Sequence, residues 1–190
     1  LNEQDVARAE QCLDGASALL LQLEVPLEAN LSIASTAKKK GIKVILDPAP
    51  ATKLPQQIYA NIDFITPNEI ETESLVGIRP QNVEDASRAA TILHRQGVQN
   101  VIIKMGAKGV YFSTGEQKGF IEPFKVHSID SVAAGDAFNA GLAVAIAEGK
   151  SIQDAVRWGA AAGALATTKK GALPSMPYRD ELLGLLNTQK

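Results

Sequence analysis

The 190 residues carry 19 Lys or Arg against 21 Asp or Glu, a formal net charge of −2, and 45% of them are hydrophobic. That balance fits one soluble domain with a substantial core and leaves no electrostatic footprint for nucleic acid or an anionic membrane. The single cysteine, Cys12, excludes an internal disulfide and a cysteine-based zinc site, and is expected as a small core residue in a reducing compartment. No apolar run approaches the roughly 20 residues that span a bilayer, and "LNEQDVARAE" has the wrong character for a signal peptide. Small-molecule partners and a cytoplasmic location are the default expectations.

Strand-length apolar runs recur at residues 18–25, 43–46, 62–66 and 101–105, and their near-continuous hydrophobicity predicts strands covered on both faces. Between the first two, "LEANLSIASTAKKKG" predicts a helix over 27–40 ended by Gly41, completing a βαβ unit. A second helix over 83–96 follows Asn82 as N-cap and stops at Gly97. Residues 109–129 turn β-rich, with "TGEQKG" as a hairpin turn and an antiparallel edge as the expected result. Three helical segments follow, over 135–148, 151–168 and 178–186. The Ala and Gly of the middle one let its backbone approach a neighbouring helix or a ligand. The pattern predicts a three-layer α/β/α sandwich with a mostly parallel sheet.

In such sheets ligands bind beyond the carboxyl ends of the strands. The loops there are "DPAPA" (47–51), "TPNEIE" (66–71) and "MGAKG" (105–109). Neither a G-x-x-x-x-G-K-[ST] nor a G-x-G-x-x-G motif is present. Instead "DSVAAGDAFNAG" (130–141) places Ala133, Ala134 and Gly135, with almost no side chain, at the expected start of a helix. Backbone N–H groups there suit a phosphate or a developing anion, and Asp136 beside them is placed to accept a proton from a substrate hydroxyl. The plainer reading is that Asp136 only favours a helix N-terminus. Asn68 and Glu71 equally read as helix capping after Pro67, Gly106 and Gly109 as turn residues, and Glu24 as a solvated strand end.

The stretch "DSVAAGDAFNAG" closely resembles the C-terminal signature of the PfkB carbohydrate kinase (ribokinase-like) family. "DPAPA", "TPNEIE" and "TTKKGALPSMP" resemble its ribose-phosphorylating branch, so the similarity runs over essentially the whole chain. The resemblance implies ATP-dependent phosphorylation of D-ribose, with Asp136 as base and Ala133, Ala134 and Gly135 as anion hole. By the same resemblance Asn68 and Glu71 organise Mg²⁺, its waters and the ATP phosphates, and Glu24 contacts the sugar. Lys104, Gly106, Lys108 and Gly109 match the segment bordering the nucleotide, although position 104 is often a hydroxyl residue in the family. A K⁺ site built largely from backbone carbonyls is implied at Asp130, Val132, Ala166, Lys169, Gly171 and Ser175. For "KKGALPSMP" a helix stop and Pro-rich turn is the plainer alternative.

Family members carry a substantial N-terminal segment with a glycine-rich sugar motif, sheet strands and a β lid that makes a homodimer interface. That segment is not in this sequence, and Leu1 is not a natural initiator. The 190 residues are therefore expected to be the C-terminal part of one kinase domain, poorly active and aggregation-prone in isolation. Fructokinase, adenosine kinase and pseudouridine kinase activities compete with ribose phosphorylation, and a non-catalytic nucleotide-binding module is the alternative from another class. His94 and His127 lack the neighbours of a metal or catalytic site, Trp158 is expected to pack, and Lys38–Lys40 to be the solvated end of a helix.

Overall fold

Three consecutive fully buried residues, Val44, Ile45 and Leu46, mark a strand with apolar cover on both of its faces. In the computed structural model, which describes residues 3–189, this strand is β2 (Lys43–Leu46). It pairs in parallel with β1 (Ala18–Leu21) and with β3 (Phe64–Ile65), which in turn pairs in parallel with β4 (Asn100–Lys104). A hairpin, β5 (Val110–Ser113) and β6 (Lys118–Ile121), completes a six-stranded sheet of order β1-β2-β3-β4-β5-β6. The hairpin turn is closed by the Thr114 N–H bond to Gln117 O at 2.8 Å.

The chain forms two compact units, one reaching to Met105 and including Tyr111–Gly119, the other made of Gly106–Val110 and the residues from Phe120 onward. In the first, α1 (Glu3–Gln11), α2 (Leu27–Lys39), α3 (Gln56–Tyr59), α4 (Glu69–Val76) and α5 (Val83–Arg95) flank the strands. Ala34 and Ala37 of α2, and Ala86, Ala89, Ala90 and Leu93 of α5, are buried. The expected helix ends hold: Gly41 follows α2 with φ 75°, and Asn82 caps the start of α5 by accepting the Asp85 N–H at 2.9 Å. His94 is spent on structure, its Nδ1 2.8 Å from Val98 O and its Nε2 2.9 Å from Ser113 Oγ.

In the second unit α6 (Ala134–Ala147) packs on α7 (Ile152–Ala166), and α8 (Arg179–Thr188) follows. The small residues of α7 serve the neighbouring helix. A Cβ at Gly159 would stand 2.9 Å from Phe138 O, and one at Gly163 3.0 Å from Ala134 O. Trp158 is buried, with Lys150 Nζ 4.5 Å from its ring centroid and the Arg179 guanidinium at 5.4 Å.

Four expectations fail. Cys12 is exposed, in the turn after α1, where its Sγ lies 3.5 Å from Arg8 O. β1 ends at Leu21 rather than at residue 25, because the Leu23 N–H turns to Ala49 O (2.8 Å) and Asn30 Nδ2 takes Gln22 O (2.7 Å). The strand-like run 126–129 forms no strand. Its Ile129 N–H is bonded instead to Thr167 O at 2.8 Å, and Lys125 just ahead of it bonds the Gln189 side-chain amide at 2.8 and 3.0 Å. Lys38 is not simply solvated, since its Nζ lies 2.9 Å from the buried carboxylate of Asp63. The short helices α1 and α3 were not legible as periodic runs.

Candidate active site

In the first unit the strand ends of β2, β3 and β4 gather four polar residues. Asp47 follows β2, Asn68 follows β3, and Lys104 closes β4, bridged in parallel to Asn68 and bonded through its N–H to Pro67 O at 2.8 Å. Asn68 caps α4 in a full capping box: its Oδ1 accepts the Ile70 and Glu71 N–H groups at 2.9 Å, and Glu71 Oε2 accepts the Asn68 N–H at 2.7 Å. Glu71 Oε1 also accepts from Asn68 Nδ2 at 2.7 Å. The helix-capping reading of N-x-x-E is thus correct, and it holds a carboxylate at a strand end.

Glu71 is buried, and desolvation raises its pKa above the ordinary glutamate value; the Asn68 N–H and the Lys104 ammonium pull the other way, while Asp47 and Glu69 add to the rise. A buried carboxylate in this state gains from a nearby cation. Its hard oxygen donors suit Mg²⁺, directly or through water. Lys104 Nζ donates to Asp47 Oδ1 at 3.0 Å, with side-chain exposures of 13% and 7%. Asp47, the first residue of "DPAPA", is a member of this cluster that the sequence reading misses. The signal that could have found it is an acid closing a fully buried apolar strand. Glu24 itself is exposed in the bend after β1, whose Leu23 is tied to Ala49 of the same loop.

In the second unit Gly106, Ala107 and Lys108 form a 3-10 turn, with Gly106 and Lys108 exposed. Gly109 has φ 101°, and a Cβ there would meet Ile121 O at 2.4 Å, so its glycine is required by the backbone. Ahead of α6, Ala133 adopts the left-handed conformation (φ 60°, ψ 12°), alone among the described non-glycine residues. This twist turns the chain into the helix. The first α6 bond runs from the Ala137 N–H to Ala133 O at 2.9 Å, so the Gly135 N–H precedes the helix's own ladder. The Ala134 N–H is instead directed to Ser131 O at 3.2 Å. Asp136 is exposed in the first turn.

The loop before it is clamped. The Ile129 and Asp130 N–H groups bond Thr167 O at 2.8 and 3.1 Å, Asp130 Oδ1 accepts the Val132 N–H at 3.0 Å, and Asp130 Oδ2 the Gly171 N–H at 2.9 Å. Those backbone donors, Gly171 first and Val132 second, hold the Asp130 pKa below its usual range. Ser175 is fully buried with its Oγ on Ala172 O at 2.7 Å, Ala166 O accepts the Lys169 N–H at 3.5 Å, and Lys169 Nζ pairs with Glu181 at 2.7 Å. Among the described residues no cluster of three His, Cys, Asp or Glu is present.

A mostly parallel sheet flanked by helices makes the fold ribokinase-like. The chain belongs to the pfkB family of carbohydrate kinases, whose family model matches residues 2–179. It is 44% identical over 186 residues to the ribokinase of Haemophilus influenzae, covering 98% of this chain and 61% of that protein. The structure of Arabidopsis thaliana ribokinase complexed with ribose and ATP superposes with a TM-score of 0.87 at 36% identity, over 98% of this chain and 59% of the other. Phosphofructokinase-2 from Escherichia coli in complex with potassium gives a TM-score of 0.78 at 25% identity, over 99% and 63%. The chain thus spans about three fifths of the length of these relatives. No helix among the described residues is long and apolar enough to cross a membrane.

Proposed function

We propose that the protein to which these residues belong is an ATP-dependent ribose kinase, converting D-ribose and ATP to D-ribose 5-phosphate and ADP, and that the chain is the C-terminal part of its kinase domain. The observation that carries this reading is Asp136, exposed in the first turn of α6 directly after the left-handed Ala133. Asp136 takes the proton of the sugar hydroxyl as its oxygen attacks the γ-phosphorus; the bond to the bridging oxygen breaks and ADP leaves. The backbone of Ala133, Ala134 and Gly135 forms the anion hole, with the Gly135 N–H, ahead of the helix ladder, toward the charge that develops on the transferring group, while the Ala134 N–H holds the turn on Ser131 O. Glu24 contacts the sugar, while Gly106, Lys108 and Gly109 border the nucleotide.

Asn68 and Glu71 would hold Mg²⁺ through water, and the charge neutralisation of the ATP phosphates is the chemistry that ion would supply there. Asp130, Val132, Ala166, Lys169, Gly171 and Ser175 would hold K⁺, and the resemblance to a relative solved in complex with potassium supports this choice of ion. The test is phosphorylation of a sugar and nucleoside panel by the full-length protein and its Asp136→Asn variant. Ribose-selective turnover that falls by about 10²- to 10⁴-fold in the variant, with ATP binding retained, is the expected result. A wild-type protein that binds ATP and phosphorylates no sugar or nucleoside is a binding module instead.

A further inference from the structure

The Lys104–Asp47 ion pair is an expensive feature, because two charges are drawn out of water at the ends of β4 and β2. Its carboxylate is not the only one there: Glu71 is bonded to Asn68 at 2.7 Å, and Asn68 is the residue that bridges in parallel to Lys104. The formal charges of Asp47, Glu71 and Lys104 add to −1, whereas the two carboxylates without the ammonium would carry −2. A charge of −2 on hard oxygens attracts a divalent cation; an ammonium already seated on one of the carboxylates competes with it.

We propose that Lys104, positioned by Asp47, is a resident cation that keeps divalent metal off the strand-end carboxylates Asp47 and Glu71 while no nucleotide is bound. Metal then enters with the phosphates it already neutralises. Asp47 is a positioning residue in this scheme, and Lys104 the charge it positions. The inference rests on the reading of these strand ends as the phosphate side of the site, but its readout needs neither nucleotide nor turnover.

The experiment is Mn²⁺ binding to the nucleotide-free full-length protein, followed by electron paramagnetic resonance at slightly alkaline pH, with a thermal melt of each variant. Wild type and Lys104→Arg should bind Mn²⁺ weakly, Lys104→Met at least about tenfold more tightly, and Lys104→Met combined with Asp47→Asn weakly again. Lys104→Met no tighter than wild type overturns the proposal, as does a gain that survives Asp47→Asn. Should Lys104→Met fail to fold, Lys104→Gln takes its place: weak wild-type binding that Lys104→Gln strengthens is the expected result, and tight wild-type binding that Asp47→Asn removes, or a Lys104→Gln variant no tighter than wild type, overturns the proposal. A failed kinase assay beside the expected metal pattern would fault the ribose reading and leave this one standing.

Discussion

Asp130 and Gly171 stand 41 positions apart in the chain and are joined by the Gly171 N–H bond to Asp130 Oδ2 at 2.9 Å. With the Thr167 carbonyl taking the Ile129 and Asp130 N–H groups, this bond holds the segment before α6 against the one after α7. Both segments supply the carbonyls proposed for the monovalent cation.

Replacing Asp130 with Ala removes both of those carboxylate acceptors. The K⁺ concentration giving half-maximal stimulation of the full-length kinase should rise by about 10- to 100-fold, as for other residues that orient metal ligands. A K⁺ titration of initial rates measures it, and an unchanged midpoint would place the cation elsewhere. Because folding lowers the Asp130 pKa, its contribution is present above the ordinary aspartate range and is lost only as pH falls through the lowered value.

Ala133 occupies a conformation that favours glycine. Ala133→Gly removes the steric penalty and adds chain entropy to the unfolded state, so its stability should stay within about 1 kcal/mol of wild type. A β-branched side chain has no such escape: Ala133→Val should cost about 1–3 kcal/mol. Urea denaturation of the two variants gives the comparison, and equal losses would contradict it.

Asp63 joins three strands. Its carboxylate accepts the Val44 N–H at 2.9 Å and Lys38 Nζ at 2.9 Å, and its carbonyl accepts the Asn100 N–H and Nδ2 at 3.1 and 2.8 Å. Asp63→Ala leaves the buried Val44 N–H without this acceptor and should cost about 1–3 kcal/mol. Lys38→Ala should cost less, because Lys43 Nζ at 3.9 Å and the Val44 N–H still face the carboxylate. Chemical denaturation ranks the two; the reverse order would show that the ion pair dominates.

Glu71 has its pKa raised in the folded state, chiefly by desolvation. The folded protein therefore takes up this proton before the unfolded chain does as pH falls. Its ionisation costs stability at neutral pH, and the cost is relieved on acidification through the raised value. In metal-free buffer the stability of wild type relative to Glu71→Gln should fall as pH rises out of the ordinary glutamate range, measured by urea midpoints across pH. A difference independent of pH would mean that Glu71 titrates as it does in the unfolded chain.

The hydrophobic period was enough to find the central strands, the bounds of α2 and α5 within a residue or so, and the hairpin, because each is written in neighbouring residues: a buried run, a capping Asn82, a stopping Gly41. The residue types of "VAAGD" pointed locally to an anion-binding helix start, whereas those of "NEIE" read locally as a helix cap and gained a further role only from the family resemblance. Other features depended on partners far along the chain. β1 stops at Leu21 because Ala49 and Asn30 take its next backbone groups, and residues 126–129 form no strand although their side chains suit one. Lys104 belongs to Asp47 across 57 positions, and Lys38 to Asp63 across 25. Local sequence sets which conformations are cheap, but the partner of a buried charge is set by which strand ends the sheet brings side by side, and only the tertiary structure decides that.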